Sequence, residues 1–357
     1  MTDKKYEDTS ITNWFKIKNI DYIASPKYFY YDHFNNIINF SVERPKDYYK
    51  IGSIRWNKYD TMLYICCSKN TRNFSNKNNK KISYFRNLVF DKFKRDQIPI
   101  LKSNLQKCVR RSLINPSINT ALTLLCLDAN QLLRRLSIIM LEDVMLNNDI
   151  LLLIWLTCAH SKGFSINDVL MVKVINMVYF ITKSEFRESY DKINNFNLKK
   201  YDINKLNLKE QNILWALQLR CSYGGMTGDM EMINYFTKIW YKRFISKFIL
   251  EDNPNLLKLE DLRIMTLKDI HGSSIDFHCT NIINYIKNKY PKYSEDEIKK
   301  SIWNNRSKKN YRDFLRDENN LNASNLIEYK YSDNIWDEIA NYTKYISKVI
   351  LRNYFIN

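Results

Sequence analysis

Two double arginines, Arg110-Arg111 and Arg134-Arg135, lie in neighbouring apolar stretches, and the second stretch closes on the acidic pair Glu142-Asp143. Guanidinium groups in apolar surroundings need carboxylates, because a buried unpaired charge is costly. Arg135 and Glu142 are seven residues apart, on one helical face but two turns distant, so they do not pair as i,i+4 neighbours do. Their partners are then expected on a neighbouring helix or on a ligand, and Arg110-Arg111 on the preceding helix are placed to reach Glu142 or Asp143. The expectation is an internal or interface ion network of Arg110, Arg111, Arg134, Arg135, Glu142 and Asp143. The alternative is that one arginine of each pair turns outward to phosphates.

Two further clusters suit nucleic acid. Within 299–316, Arg306, Lys308, Lys309 and Arg312 surround Trp303 and Tyr311. That charge density is hard to bury, so the segment is expected at the surface, with the four cations on phosphates and Tyr311 stacking on a base. Within 84–95, Arg86, Lys92, Lys94 and Arg95 alternate with Phe90 and Phe93. Aromatics beside cations suit single strands, since bases stack while phosphates pair. An amphipathic helix with its phenylalanines in the core explains the same pattern.

Three of the six glycines fall in CSYGGMTGDMEM, at Gly224, Gly225 and Gly228. The pattern reads as a tight helix–helix connection, with Thr227 or Asp229 capping a helix that begins at Met230. A phosphate cradle of backbone amides is the competing reading. No lysine follows in Walker A register, so the chain is not expected to be a P-loop ATPase by itself. His271, Asp276, His278 and Cys279 are close in sequence, but no second donor pair at zinc spacing accompanies them. No metal and no cofactor are expected, and no catalytic constellation stands out.

The chain has 357 residues, 56 basic against 38 acidic, for a formal net charge of +18. Asn, Ile, Lys and Tyr are abundant, as in an A/T-rich coding sequence, which accounts for part of the lysine. The remaining excess makes polyanions the first partners to consider. The seven cysteines lack CxxC spacing and most sit in apolar runs, as free thiols do in a reducing compartment. The N-terminus has no apolar core, and the longest apolar run, 150–159, is too short to cross a bilayer. The expectation is an intracellular protein of cytoplasm or nucleus with no membrane partner.

Fold class is read as mainly α, a multi-helix bundle with a small N-terminal α+β domain. Residues 1–95 are rich in Tyr, Phe and Asn and form the α+β part, with a polar loop over 71–81. Residues 96–290 form the helical core and 291–357 a C-terminal helical segment. Helices are expected at about 101–114, 117–127, 130–146, 149–160, 168–179, 208–222, 229–250, 275–289 and 334–355. Ser294…Glu297 reads as a capping box. The last helix carries an apolar stripe of Ile335, Ile339, Tyr342, Ile346 and Val349.

The run LQKCVRRSLIN…TALTLL…QLLRRLSIIMLEDV resembles the C-terminal helical region of the RarA/MgsA family of clamp-loader-like AAA+ ATPases. The matching positions are Leu105, Gln106, Lys107, Arg110, Arg111, Ala121, Leu122, Arg134, Arg135, Leu136, Glu142 and Asp143. The family's glycine after the acidic helix is replaced by VMLNND, and the ATPase core has no counterpart. The resemblance therefore implies only a helical oligomerisation or DNA-transaction module, in a stand-alone relative of the kind a large DNA virus encodes. The resulting expectation is a non-enzymatic accessory protein of DNA replication or repair that binds nucleic acid, DNA before RNA, and self-associates. Replication or virion proteins are its expected partners, and if viral it sits at the host replication site or in the virion. A structural protein of virion assembly is the alternative.

Overall fold

The computed structural model describes residues 26–57, 60–77, 79–188, 202–276, 282–315 and 334–356. The molecule is mainly α-helical, with one small sheet at its N-terminal end. The aromatic and β-branched residues near the start form β1 (Tyr28–Asp32), β2 (Ile37–Ser41), β3 (Tyr48–Trp56) and β4 (Thr61–Ser68). Their order is β2-β1-β4-β3, with β1 parallel to β4 and the other pairs antiparallel. Side chains alternate between the faces of a strand. Phe29 and Tyr31 of β1 and Leu63, Ile65 and Cys67 of β4 are accordingly buried together. They meet α5 (Ile150–His160), where the Tyr31 ring lies 4.8 Å from Trp155 and the Trp155 Nε1 donates to the Cys66 carbonyl.

The loop expected over 71–81 is corrected. Helix α1 (Lys69–Ser75) begins at Ser68, whose hydroxyl accepts from the Thr71 amide, and α2 (Lys80–Lys92) starts five residues after α1 ends. Thr71 is buried and its hydroxyl accepts from the His33 amide. Polar residues in this stretch thus cap a helix against the sheet, where composition alone reads as loop. The Asp168 carboxylate accepts from the Lys81 and Ile82 amides at 3.1 and 2.7 Å. It satisfies two free donors in the first turn of α2.

Helix α3 (Ile98–Arg110) packs along α4 (Ile114–Glu142). α4 is broken at Asp128, where φ −159° and ψ 94° leave the helical region and the carboxylate accepts from the Gln131 amide. The two halves correspond to the two helices expected at 117–127 and 130–146. α5, apolar on nearly every side, is central. α6 (Asp168–Lys183) follows and is capped by the Asn167 side chain. Next come α7 (Leu208–Ser222) and α8 (Thr227–Ile245). α8 starts at Thr227, not Met230, and its N-cap is Met226 without a side-chain bond. Gly224 and Gly225 have φ of 86° and 159°, which a side chain would strain.

A second, isoleucine-rich core forms under α9 (Ile282–Lys289), α10 (Glu295–Ile302) and α12 (Asn334–Ile356). It includes Ile100 and Ile275, so it begins before residue 291. The Ser294 capping box is formed, with its hydroxyl accepting from the Glu297 amide at 3.2 Å. The helix expected at 275–289 starts at Ile282, after a 3-10 turn at Gly272–Ile275, and 277–281 lie outside the described residues. A π-helical turn, Trp303–Ser307, and the short α11 (Tyr311–Leu315) carry the chain back onto α3 and α6. Among the described residues no helix is long and apolar enough to cross a membrane.

Candidate nucleic-acid interface

The arginine pairs divide between ionic and carbonyl partners. Arg110 is buried; its Nε lies 2.5 Å from Asp143 and its Nη2 2.7 Å from Glu142. Gln106 donates to both carboxylates and accepts from Arg135 Nη2, and Arg135 also approaches Asp229 at 3.8 Å. Burial alone would lower the basicity of Arg110, but Asp143 and Glu142 overcome it and hold the value above the ordinary one. Burial, with Asp143 beside it, raises Glu142 against the pull of Arg110 and Arg135. Arg111 and Arg134 have carbonyl partners instead. Arg111 donates to the carbonyls of Lys107 and Arg306, and Arg134 to that of Gly224. Arg220 reaches the same Gly224 carbonyl, so the glycine turn serves as an internal acceptor.

The expected surface patch over 299–316 is corrected at its centre. Arg312 is 0% exposed. Its guanidinium donates to the carbonyls of Val109, Ile181, Thr182 and Ser184 at 2.7–2.9 Å. Those oxygens belong to the ends of α3 and α6, which lack intrahelical donors. Arg312 thus closes two helix C-termini and has no face left for phosphate. Lys308 and Tyr311 are half-exposed.

Arg306 and Lys309 instead line a cleft of about 650 Å³ beside α12. Its walls also carry Arg111, His271, Lys344, Lys348 and Trp336. Arg306 lies 3.3 Å from Asp276 and donates to the Ser347 hydroxyl. A Cβ at Gly272 would stand 2.7 Å from its Nη2, so glycine permits that approach. Among the described residues, this lining sets five basic side chains against the carboxylate of Asp337, with Asp276 beneath Arg306. The potential acts on His271: burial first, then Arg111, Arg306 and Lys107, push its pKa down to about 3 and keep the imidazole neutral. His278 and Cys279 lie outside the described residues.

Sequence reasoning missed Lys344 and Lys348. With Arg352 they recur every fourth residue and are exposed, opposite the apolar stripe that was recognised. Among the described residues, neither lysine pairs with a carboxylate. The last turn of α12 packs on 93–97: the Phe355 ring lies 6.2 Å from Phe93, and the Tyr354 hydroxyl donates to the Asp96 carbonyl. The basic stripe therefore runs from the cleft towards Lys94 and Arg95, which are exposed, as is Lys92. Arg86 is half-buried, Phe93 is in the core and Phe90 stays exposed.

Lys107 connects network and cleft. Its Nζ donates to the Ser307 carbonyl at 3.0 Å, an oxygen that Arg110 Nη1 also reaches at 3.0 Å. Burial, then the neighbouring Arg110, lowers its pKa from 10.5 to about 7. A depressed lysine binds its proton less well in the folded than in the unfolded chain. Its contribution to stability is complete above pH 10.5 and is lost as pH falls through about 7. Lys107→Met should therefore flatten the rise in stability over that window, read from urea midpoints at several pH values. An unchanged profile would mean the ammonium is already well solvated.

The chain matches no protein-family model, no curated protein and no solved structure.

Proposed function

We propose that this chain is a non-enzymatic nucleic-acid-binding protein, an accessory of DNA replication or repair, that grips a phosphate backbone in the cleft beside α12. The observation that carries the reading is the gathering of Arg111, Arg306, Lys309, Lys344 and Lys348 around one cavity of about 650 Å³. Cations held by a scaffold at a concave surface raise the local concentration of polyanions and position their phosphates. The stripe through Arg352 towards Lys94 and Arg95 extends that field beyond a single phosphate, as a strand requires. DNA rather than RNA, the replication or repair setting and self-association rest on the family resemblance of 105–144.

The test reverses the two exposed lysines. Lys344→Glu/Lys348→Glu disturbs no described ion pair and should leave the melting temperature unchanged. Its affinity for fluorescein-labelled DNA at low salt is expected to fall by about tenfold or more, since two phosphate contacts become repulsions. Equal affinity in variant and parent would remove the cleft as the site. No binding by the parent to single- or double-stranded DNA would remove the function.

A further inference from the structure

The sheet face turned away from α5 plays no part in the cleft. Strand register sets Tyr28 beside Tyr64, and Tyr30 and Lys50 on either side of Cys66. The Tyr28 and Tyr64 rings stack with centroids 5.4 Å apart, and Tyr30 meets Tyr48 edge-on at 4.9 Å. Lys50 holds its Nζ 4.5 Å from the Tyr64 ring centre. The four tyrosines are half-exposed and Lys50 is exposed, whereas the residues alternating with them in β1 and β4 are buried under α5. The face thus carries two aromatic pairs on a rigid sheet with a cation between them. Asp32 on this face is buried and accepts from the Phe34 amide and the Asn35 side chain.

Rings offer π faces to which any base can stack, and neighbouring cations meet the phosphates. We propose that this face stacks the bases of a single-stranded nucleic acid. Tyr28 and Tyr64 take one base, Tyr30 and Tyr48 the next, and Lys50 takes the phosphate between them. Charge favours this occupant over an apolar protein surface, because the exposed Lys50 and Arg44 both lie close enough to act on the Cys66 thiol between the rings, whereas Arg55 farther along β3 is paired with Asp60. The inference rests on the nucleic-acid reading above and adds the strand state, at a surface separate from the cleft.

Photo-crosslinking of the full chain to oligothymidine, with peptides mapped by mass spectrometry, tests it together with anisotropy. Adducts are expected on Tyr28, Tyr30 or Tyr64. Tyr28→Leu/Tyr64→Leu should weaken oligothymidine binding on the order of tenfold, the scale of losing one stacked base, and leave duplex binding unchanged. Should that variant misfold, Lys50→Ala serves, and its salt dependence on oligothymidine should be shallower by about 0.7 per contact. Adducts confined to cleft peptides, with oligothymidine affinity unchanged in these variants, would overturn the platform and leave the cleft standing. Absence of all nucleic-acid binding by the parent would overturn both.

Discussion

Arg312→Ala is expected to destabilise the fold by about 4 kcal/mol or more, because it leaves several buried carbonyls unsatisfied and opens a cavity. The four acceptors come from α3, α6 and the residue after α6, so the loss spreads over three parts of the chain. Such a cost is a large share of a stability of about 5–15 kcal/mol, and poor soluble yield is the expected phenotype. Arg312→Lys should fare little better, since an ammonium lacks the planar fork that spans these oxygens. Urea unfolding measures both. A loss under about 1 kcal/mol would place Arg312 among ordinary surface cations.

Asp143→Ala carries the second large effect. Asp143 is 0% exposed and faces Arg110 Nε at 2.5 Å and Gln106 at 2.7 Å. Removing it leaves a buried guanidinium with Glu142 as its one remaining carboxylate, at a cost of about 3–5 kcal/mol. Arg110→Ala should cost about as much, because it strands two adjacent carboxylates. The double variant should lose little more than either single one, since the partners' cost is counted once. Additive losses would show that the two residues act separately, and the network would then be no unit.

Much of the scaffold was legible because its signals are local. The break between the two expected helices at 127 and 130 appears at Asp128, a residue whose side chain favours leaving the helix. The Ser294…Glu297 capping box likewise needs only four residues of sequence. Arg110 with Glu142 and Asp143 was accessible to elimination, since the carboxylates had no i,i+4 partner. Arg312 was not. Its acceptors lie 128 to 203 positions away, and a local count of charge sees four cations without the helix ends that bury one of them. Lys344, Lys348 and Arg352 did carry a signal, the four-residue spacing opposite Ile335, Ile339 and Ile346, but attention to the apolar side passed over it. The loop expected at 71–81 failed for the converse reason: polar residues there cap and pack a helix.

The cleft itself joins residues that no local window brings together. Arg111 ends α3, His271 and Gly272 open a 3-10 turn, Arg306 sits in a π-helical turn, and the lysines belong to α12. Its positive field is a property of the fold, and so is its chemistry.

Salt dependence of strand binding tests the central claim most directly. Each phosphate contact on a single strand contributes about −0.7 to the slope of log K against log salt, so reversing Lys344 and Lys348 should flatten it by about 1.4. A slope near zero, or one identical in the parent and the Lys344→Glu/Lys348→Glu chain, would contradict a phosphate-gripping cleft.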